Sequence, residues 1–431
     1  MRAPCGDEGV TRGGMAFTAK SLEAYSDLVV RVGLNLRAGQ RLIIIGPLAN
    51  GGASLEAAPL IRRIAVSAYR AGAPLVEVLW GDEELLLLRF QHAPRDSFGQ
   101  FSEWLPRTLL EHVQHDHAVL SVYANDPDHL KDQNPDLITA VQQATSRAVR
   151  EFREQISRNQ INWTVVAAPG ERWAAKVFAD APPGEQVPLL WDAIGRLCRL
   201  DHDDPIAAWE GHLAELAARR DFLNAKRYTA LKYKGPGTVL TIGLPEGHAW
   251  VAGRSFSQSG IEFAPNLPTE EVFTIAHREY VEGTVRSTKP LSYGGTLIEG
   301  FALRFEKGRV INSSAERGAD VLRKLIETDD GAGRLGEVAL VPHSSPISQS
   351  GRLFYNTLFD ENAASHVALG SAYKFTLDGG EAMDDDTFSR AGGNRSAVHV
   401  DFMIGSGELD IDGVLPTGTP EPLMRRGEWS R

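Results

Sequence analysis

Along the first half of the chain, short apolar runs alternate with stretches of helical spacing. Arg41–Gly46 is a β-branched run ending in glycine, Ala57–Ala71 repeats apolar residues at helical intervals, and Pro74–Trp80 is a second strand-like run. Strand, helix and strand in that order predict a βαβ unit with parallel strands. Ala118–Tyr123 and Asn162–Ala168, each followed by turn residues, read as later strands of the same sheet. The helical pattern starts near Ser21–Tyr25, and the stretch from Trp191 through Trp209 to Lys226 reads as charged helix crossing between two domains. Gly46–Gly52 sits between strand and helix but has neither the G-x-G-x-x-G spacing nor a P-loop lysine, so it reads as a structural turn rather than a nucleotide loop.

Beyond Gly237 the period changes. Gly237–Gly243 and the hairpin arms Phe301–Phe305 and Arg309–Asn312, joined by Glu306–Gly308, alternate apolar and polar residues as antiparallel strands do. Ser313 and Glu316 have the capping-box spacing and predict a helix beginning there. The proline-rich end from Pro416 reads as a tail. The fold class expected is α/β: an N-terminal parallel-sheet domain over 15–215, then a mixed α+β, largely antiparallel domain over 216–431, with 1–14 a loose tail and Met15 a plausible start. A chain of 431 residues exceeds the usual size of one core, which favours two domains.

Six acids and histidines interrupt the apolar pattern of the second half. In Val398–Ile404 the odd-numbered positions His399 and Asp401 share one face, while Val398, Val400, Phe402 and Ile404 share the other. A strand of that kind sets an imidazole beside a carboxylate, either as ligands or as a polar face at solvent. Glu337 opens the apolar run Gly336–Val341, which is bounded by glycine and proline and reads as a buried strand. Glu271, in Asn266–Phe273, fits the first turn of a helix as well as a site. Glu361 and His366 are five apart, which excludes an H-E-x-x-H helix and predicts a turn or helix end; taken locally, His366 reads as a structural histidine. Burying a carboxylate costs several kcal/mol unless it is compensated, so acids in such runs point to divalent cations.

Six stretches carry a resemblance: NLPTEEVFT, VRSTKPLSYGGTLIEGF, LGEVALVPHSSPIS, FYNTLFDENAASH, LGSAYKFTLDGG and HVDFMIGS. From about Gly243 to Gly413 the chain resembles the thermophilic metalloaminopeptidase family, the leucyl aminopeptidase type that includes aminopeptidases T and S. The resemblance implies that Glu271, Glu337, Glu361, His366, His399 and Asp401 hold two divalent ions (Zn, Co, Mn or Mg), bridged by Glu337. It also implies that Tyr373 is a catalytic phenol, that a bridging water attacks the peptide bond, and that Glu270, Glu271 or Glu361 carries the proton. Peptides with a free N-terminus would be the substrates, and a homodimer with an enclosed cavity the assembly. The stretch before Met15 and Ala276–Glu279 depart from the family pattern and bear on specificity.

Composition narrows the remaining choices. A net charge of −11 argues against nucleic-acid partners, and there is no apolar run of membrane-spanning or signal-peptide length, which suggests a cytoplasmic enzyme without membrane partners. Cys5 and Cys198 are too few for a disulfide framework. His366, His399 and Asp401 alone would suit one non-haem iron, so a ring-cleaving dioxygenase of a related branch is the alternative, with three surplus carboxylates against it. A non-catalytic scaffold is a second rival, and the intact set of acids, histidines and Tyr373 speaks against it.

Overall fold

A computed structural model describes residues 17–293 and 296–430; the expected tail over 1–14, Cys5 and Met15 lie outside the described residues. The first half contains a four-stranded parallel sheet in the order Val76–Val78, Leu42–Ile45, Ala118–Tyr123, Trp163–Ala167. The βαβ unit is present, with the helix Ala58–Arg70 between the strands Leu42–Ile45 and Val76–Val78. Leu42, Ile44, Leu120 and Val166 are fully buried, because helices cover the faces of a parallel sheet. The Gly46–Gly52 turn is tightly packed: a Cβ on Gly46 would lie 2.6 Å from the Cα of Ala53.

Two helices, Pro183–Leu197 and Pro205–Lys226, lead into the second half, and the latter runs through residue 215. One apolar core extends from Tyr25 to Met424 and so through both halves. The second half is built on two antiparallel sheets. The larger has eight strands, with Arg309–Ser314 at one edge and Glu428–Trp429 at the other. The smaller has five, in the order His399–Met403, His366–Gly370, Leu335–Leu340, Val272–Ile275, Val251–Ala252. Among the described residues no helix is long and apolar enough to cross a membrane.

Three local expectations are corrected. Ser313 caps no helix: it lies in the strand Arg309–Ser314, where it pairs with Leu303, and the helix Ala319–Ile326 begins later behind Gly318. The hairpin ladder outcompetes the capping box, and Glu316 instead accepts a hydrogen bond from Arg286 at 2.6 Å. The end from Pro416 is no tail, since Pro420–Arg425 pairs with Asp410–Val414 and buries Leu423 and Met424. Its prolines are tolerated because Glu428–Trp429 pairs only with Met424 and Arg425, which leaves Pro420 and Pro422 on an open edge. Glu271 starts no helix either; it immediately precedes the strand Val272–Ile275, whose β-branched Val272, Thr274 and Ile275 suit an extended backbone.

Candidate metal centre

The candidate residues converge through the register of the five-stranded sheet. Glu337 pairs with Ala368, which pairs with Asp401, so these three share one row and one face. His366 and His399 stand two residues before Ala368 and Asp401 on the same strands and face the same way. Ala339, Ala368 and Gly370 are the neighbours on that face, and their small size leaves room for the longer acids and imidazoles. The opposite face, with Val338, Val367, Leu369 and Phe402, is core. A bulge between Leu335 and Glu337 aims the glutamate, and Gly336 is required there because a Cβ would run into the carbonyl oxygen of Gly370.

The result is two compact groups that share one residue: Glu271, Glu337 and His366, and Glu337, His399 and Asp401. His366 Nε2 lies 3.2 Å from Glu271 Oε2 and 3.6 Å from Glu337 Oε1. His399 Nε2 lies 3.4 Å from Asp401 Oδ1 and 3.9 Å from Glu337 Oε2. Glu361 stands outside both groups but faces the same cavity, on a single 3-10 turn between the helix Thr357–Asp360 and the strand His366–Gly370. The turn expected between Glu361 and His366 is therefore present. His366, which reads locally as structural, is the most deeply buried of the set, its side chain 1% exposed.

A family model for thermophilic metalloprotease (M29) matches residues 18–429. The chain belongs to the thermophilic metalloprotease (M29) family. Its first half is thus included, although the motifs legible in the sequence begin only near Gly243. Aminopeptidase 2 of Geobacillus stearothermophilus is 47% identical over 95% of this chain and 98% of its own length. Aminopeptidase T of Thermus thermophilus is 46% identical over 95% and 98%, and aminopeptidase AmpS of Bacillus subtilis 43% identical over 96% and 99%. The solved structure of wild-type AmpT from Thermus thermophilus superposes with a TM-score of 0.90 at 46% identity, covering 96% of this chain and all of that one.

A metalloprotease needs a divalent cation, and the donor set fits one. Each histidine engages a backbone carbonyl through Nδ1, His366 that of Ala364 at 3.1 Å and His399 that of Ser371 at 2.7 Å. These contacts leave Nε2 of each ring facing the acids, the orientation of metal-binding histidines. Glu271 Oε2 and Asp401 Oδ1 are buried without a hydrogen-bond partner, so each has a free lone pair. Burial pushes the Glu337 and Glu361 carboxyls up, Glu361 well above the usual range, and neighbouring acids add to it. Burial opposes charge on both imidazoles, yet the surrounding carboxylates outweigh it and raise His366 strongly and His399 to about 10. The cluster therefore favours positive charge at a largely buried site, which is what a cation-binding centre requires.

Tyr373 borders the cluster. Its ring centroid is 4.9 Å from that of His399 and 5.2 Å from that of Phe375, on which it stacks, with Phe273 edge-on at 6.3 Å. Burial and the nearby acids hold its phenol protonated, so it is a hydrogen-bond donor. Glu270 is turned away from the cluster: it is ion-paired with Arg199 at 2.8 Å, beside His212, and does not line the cavity.

Behind the site, Asn394 is fully buried and donates to the carbonyls of Gly331 at 2.8 Å and Gly370 at 2.6 Å. Asn394→Ala removes both bonds, although the Gly331 carbonyl keeps the one from the Arg334 N–H at 3.0 Å, and is expected to lower the unfolding free energy by about 1–3 kcal/mol, read from urea denaturation. An unchanged midpoint and slope would show that these bonds contribute nothing net.

The cavity, about 550 Å3, is bounded on one side by this cluster and on the other by the first half of the chain. Gly46–Ala49, Tyr123, Thr145, Arg153 and Trp163 belong to that second wall, and none was singled out by sequence reasoning as a site residue. The available signal was topological, since ligands of open α/β sheets sit at the carboxyl ends of the strands, where Gly46 and Tyr123 lie.

Proposed function

We propose that this member of the M29 family is a metal-dependent aminopeptidase using two divalent ions per chain, of the Zn, Co, Mn or Mg kind. The observation that carries the reading is that Glu337 belongs to both compact donor groups. Glu271, Glu337 and His366 would hold one ion and Glu337, His399 and Asp401 the other, with Glu361 completing the set. When bound, such a pair lowers the pKa of a shared water from about 15.7 toward neutrality and polarises the scissile carbonyl.

The chain's own residues supply the rest. A floor of buried carboxylates favours a free α-amino group over a blocked one, which restricts cleavage to the first residue. Tyr373 donates its proton in a hydrogen bond to the carbonyl oxygen as negative charge develops there. Glu271 and Glu361 face the cavity and are the groups placed to pass a proton to the leaving amine, whereas Glu270 is engaged by Arg199. Phe273 and Phe375 offer an apolar surface beside the cluster for the side chain of the N-terminal residue, which supports a preference that includes Leu. By the same reading the enzyme is a cytoplasmic homodimer without nucleic-acid or membrane partners, consistent with its net charge of −11.

Hydrolysis of leucine p-nitroanilide and its N-acetyl derivative tests the proposal. Cleavage of the free-amine substrate alone, abolished by chelation and restored by Zn, Co or Mn, is expected. A folded protein inactive with every metal would remove the peptidase reading for this substrate class, and one iron per chain with oxygen uptake would favour the dioxygenase.

A further inference from the structure

The cavity wall contributed by the first half carries an exposed arginine that no carboxylate pairs among the described residues. Arg153, on the helix Arg150–Ser157, makes one hydrogen bond among the described residues, a 3.3 Å contact from Nη1 to Ser146 Oγ, and no ion pair. The other guanidinium lining the cavity, Arg254 of the second half, is neutralised by Glu262 at 2.7 Å and by Glu210. The lining near Arg153 in the chain mixes apolar Phe152 and Ile156 with polar Thr145 and Ser146, and Tyr123 lines the same cavity. Tyr123 is 37% exposed, and Arg153 is close enough for its charge to act on that phenol. Thr145 is 4% exposed and its hydroxyl has no hydrogen-bond partner.

One cavity is thus lined both by the carboxylate-rich cluster and by a single guanidinium that has no ion pair among the described residues. A molecule with a cationic amine at one end and an anion at the other matches both, and a short peptide with free termini is such a molecule. Guanidinium is also the side chain best suited to grip a carboxylate, through paired N–H donors. We propose that Arg153, assisted by Tyr123 and Thr145, binds the C-terminal carboxylate of short peptide substrates and makes the enzyme selective for free-acid oligopeptides. The inference rests on the aminopeptidase reading and deepens it by naming the substrate class.

The test compares Leu-Gly-Gly, its C-terminal amide and leucine p-nitroanilide on the metal-loaded enzyme. The wild type is expected to show a KM for the free acid about tenfold or more below that for the amide, the size of one charge-assisted contact. Arg153→Gln raises the free-acid KM to that of the amide, leaves kcat and anilide turnover unchanged, and Arg153→Lys recovers part of the preference. Cleavage of the anilide with equal KM for acid and amide, or a preference that survives Arg153→Gln, would overturn this inference and leave the aminopeptidase reading intact. Cleavage of none of the three by the wild type would overturn both.

Discussion

Tyr373→Phe is expected to lower kcat by about 100- to 1,000-fold, the cost of removing one preorganised donor to a developing oxyanion. The substitution deletes a single oxygen from a ring that keeps its place against Phe375, Phe273 and His399. The Tyr373 hydroxyl makes no hydrogen bond to another described residue and faces the cavity, so its loss strands no partner. Folding and metal content should therefore match the wild type, and KM should change little, because the bond strengthens only as the carbonyl oxygen acquires charge. Steady-state kinetics beside metal analysis check this. A kcat within a factor of a few of wild type would take Tyr373 out of the mechanism, and a proportional loss of metal would make its role structural.

The second large effect concerns Glu337. Gln has the same shape but no charge, and Glu337, 5% exposed, is fixed by its strand between the two histidines. As the member common to both donor groups, it is the one position where a single substitution should weaken two ions together. Losing an outer-shell partner costs metal affinity about 10- to 100-fold, and losing a shared ligand is expected to cost more at both ions. Glu337→Gln should leave the fold intact, since it also removes a buried charge that repels Asp401 and Glu271. Titration of the chelated variant with Zn or Co, followed by calorimetry, reads the outcome. Two ions retained at wild-type affinity would refute the shared position, and one ion retained would assign Glu337 to the other ion alone.

The contrast between His399 and His366 shows how far local pattern reaches. His399 and Asp401 sit two apart in an alternating strand, so their shared face is visible in seven residues of sequence. His366 opens a strand whose other members are all apolar or glycine, and nothing local distinguishes it from a packed core histidine. Its place in the cluster emerges from pairing with Ala339, which brings it beside Glu337 of the neighbouring strand and Glu271 just ahead of the next. The capping box at Ser313 and the tail from Pro416 failed for the same reason, since each signal was overridden by hairpin pairing with the preceding strand, Ala302–Glu306 in one case and Asp410–Val414 in the other.

Period and composition by themselves determined the α/β class, the parallel sheet of the first half, the antiparallel character of the second, and the acids and histidines set in apolar runs. Those properties follow from short-range rules: the alternation of side chains along a strand, the spacing along a helix and the cost of burying charge. The family resemblance already implied a shared position for Glu337, but only the tertiary structure decided that Glu361 stands outside both groups, that Glu270 is engaged by Arg199, and that Arg153 shares a cavity with the cluster. Strand register and the packing of one half against the other depend on contacts between residues far apart in the chain, and no local window contains them.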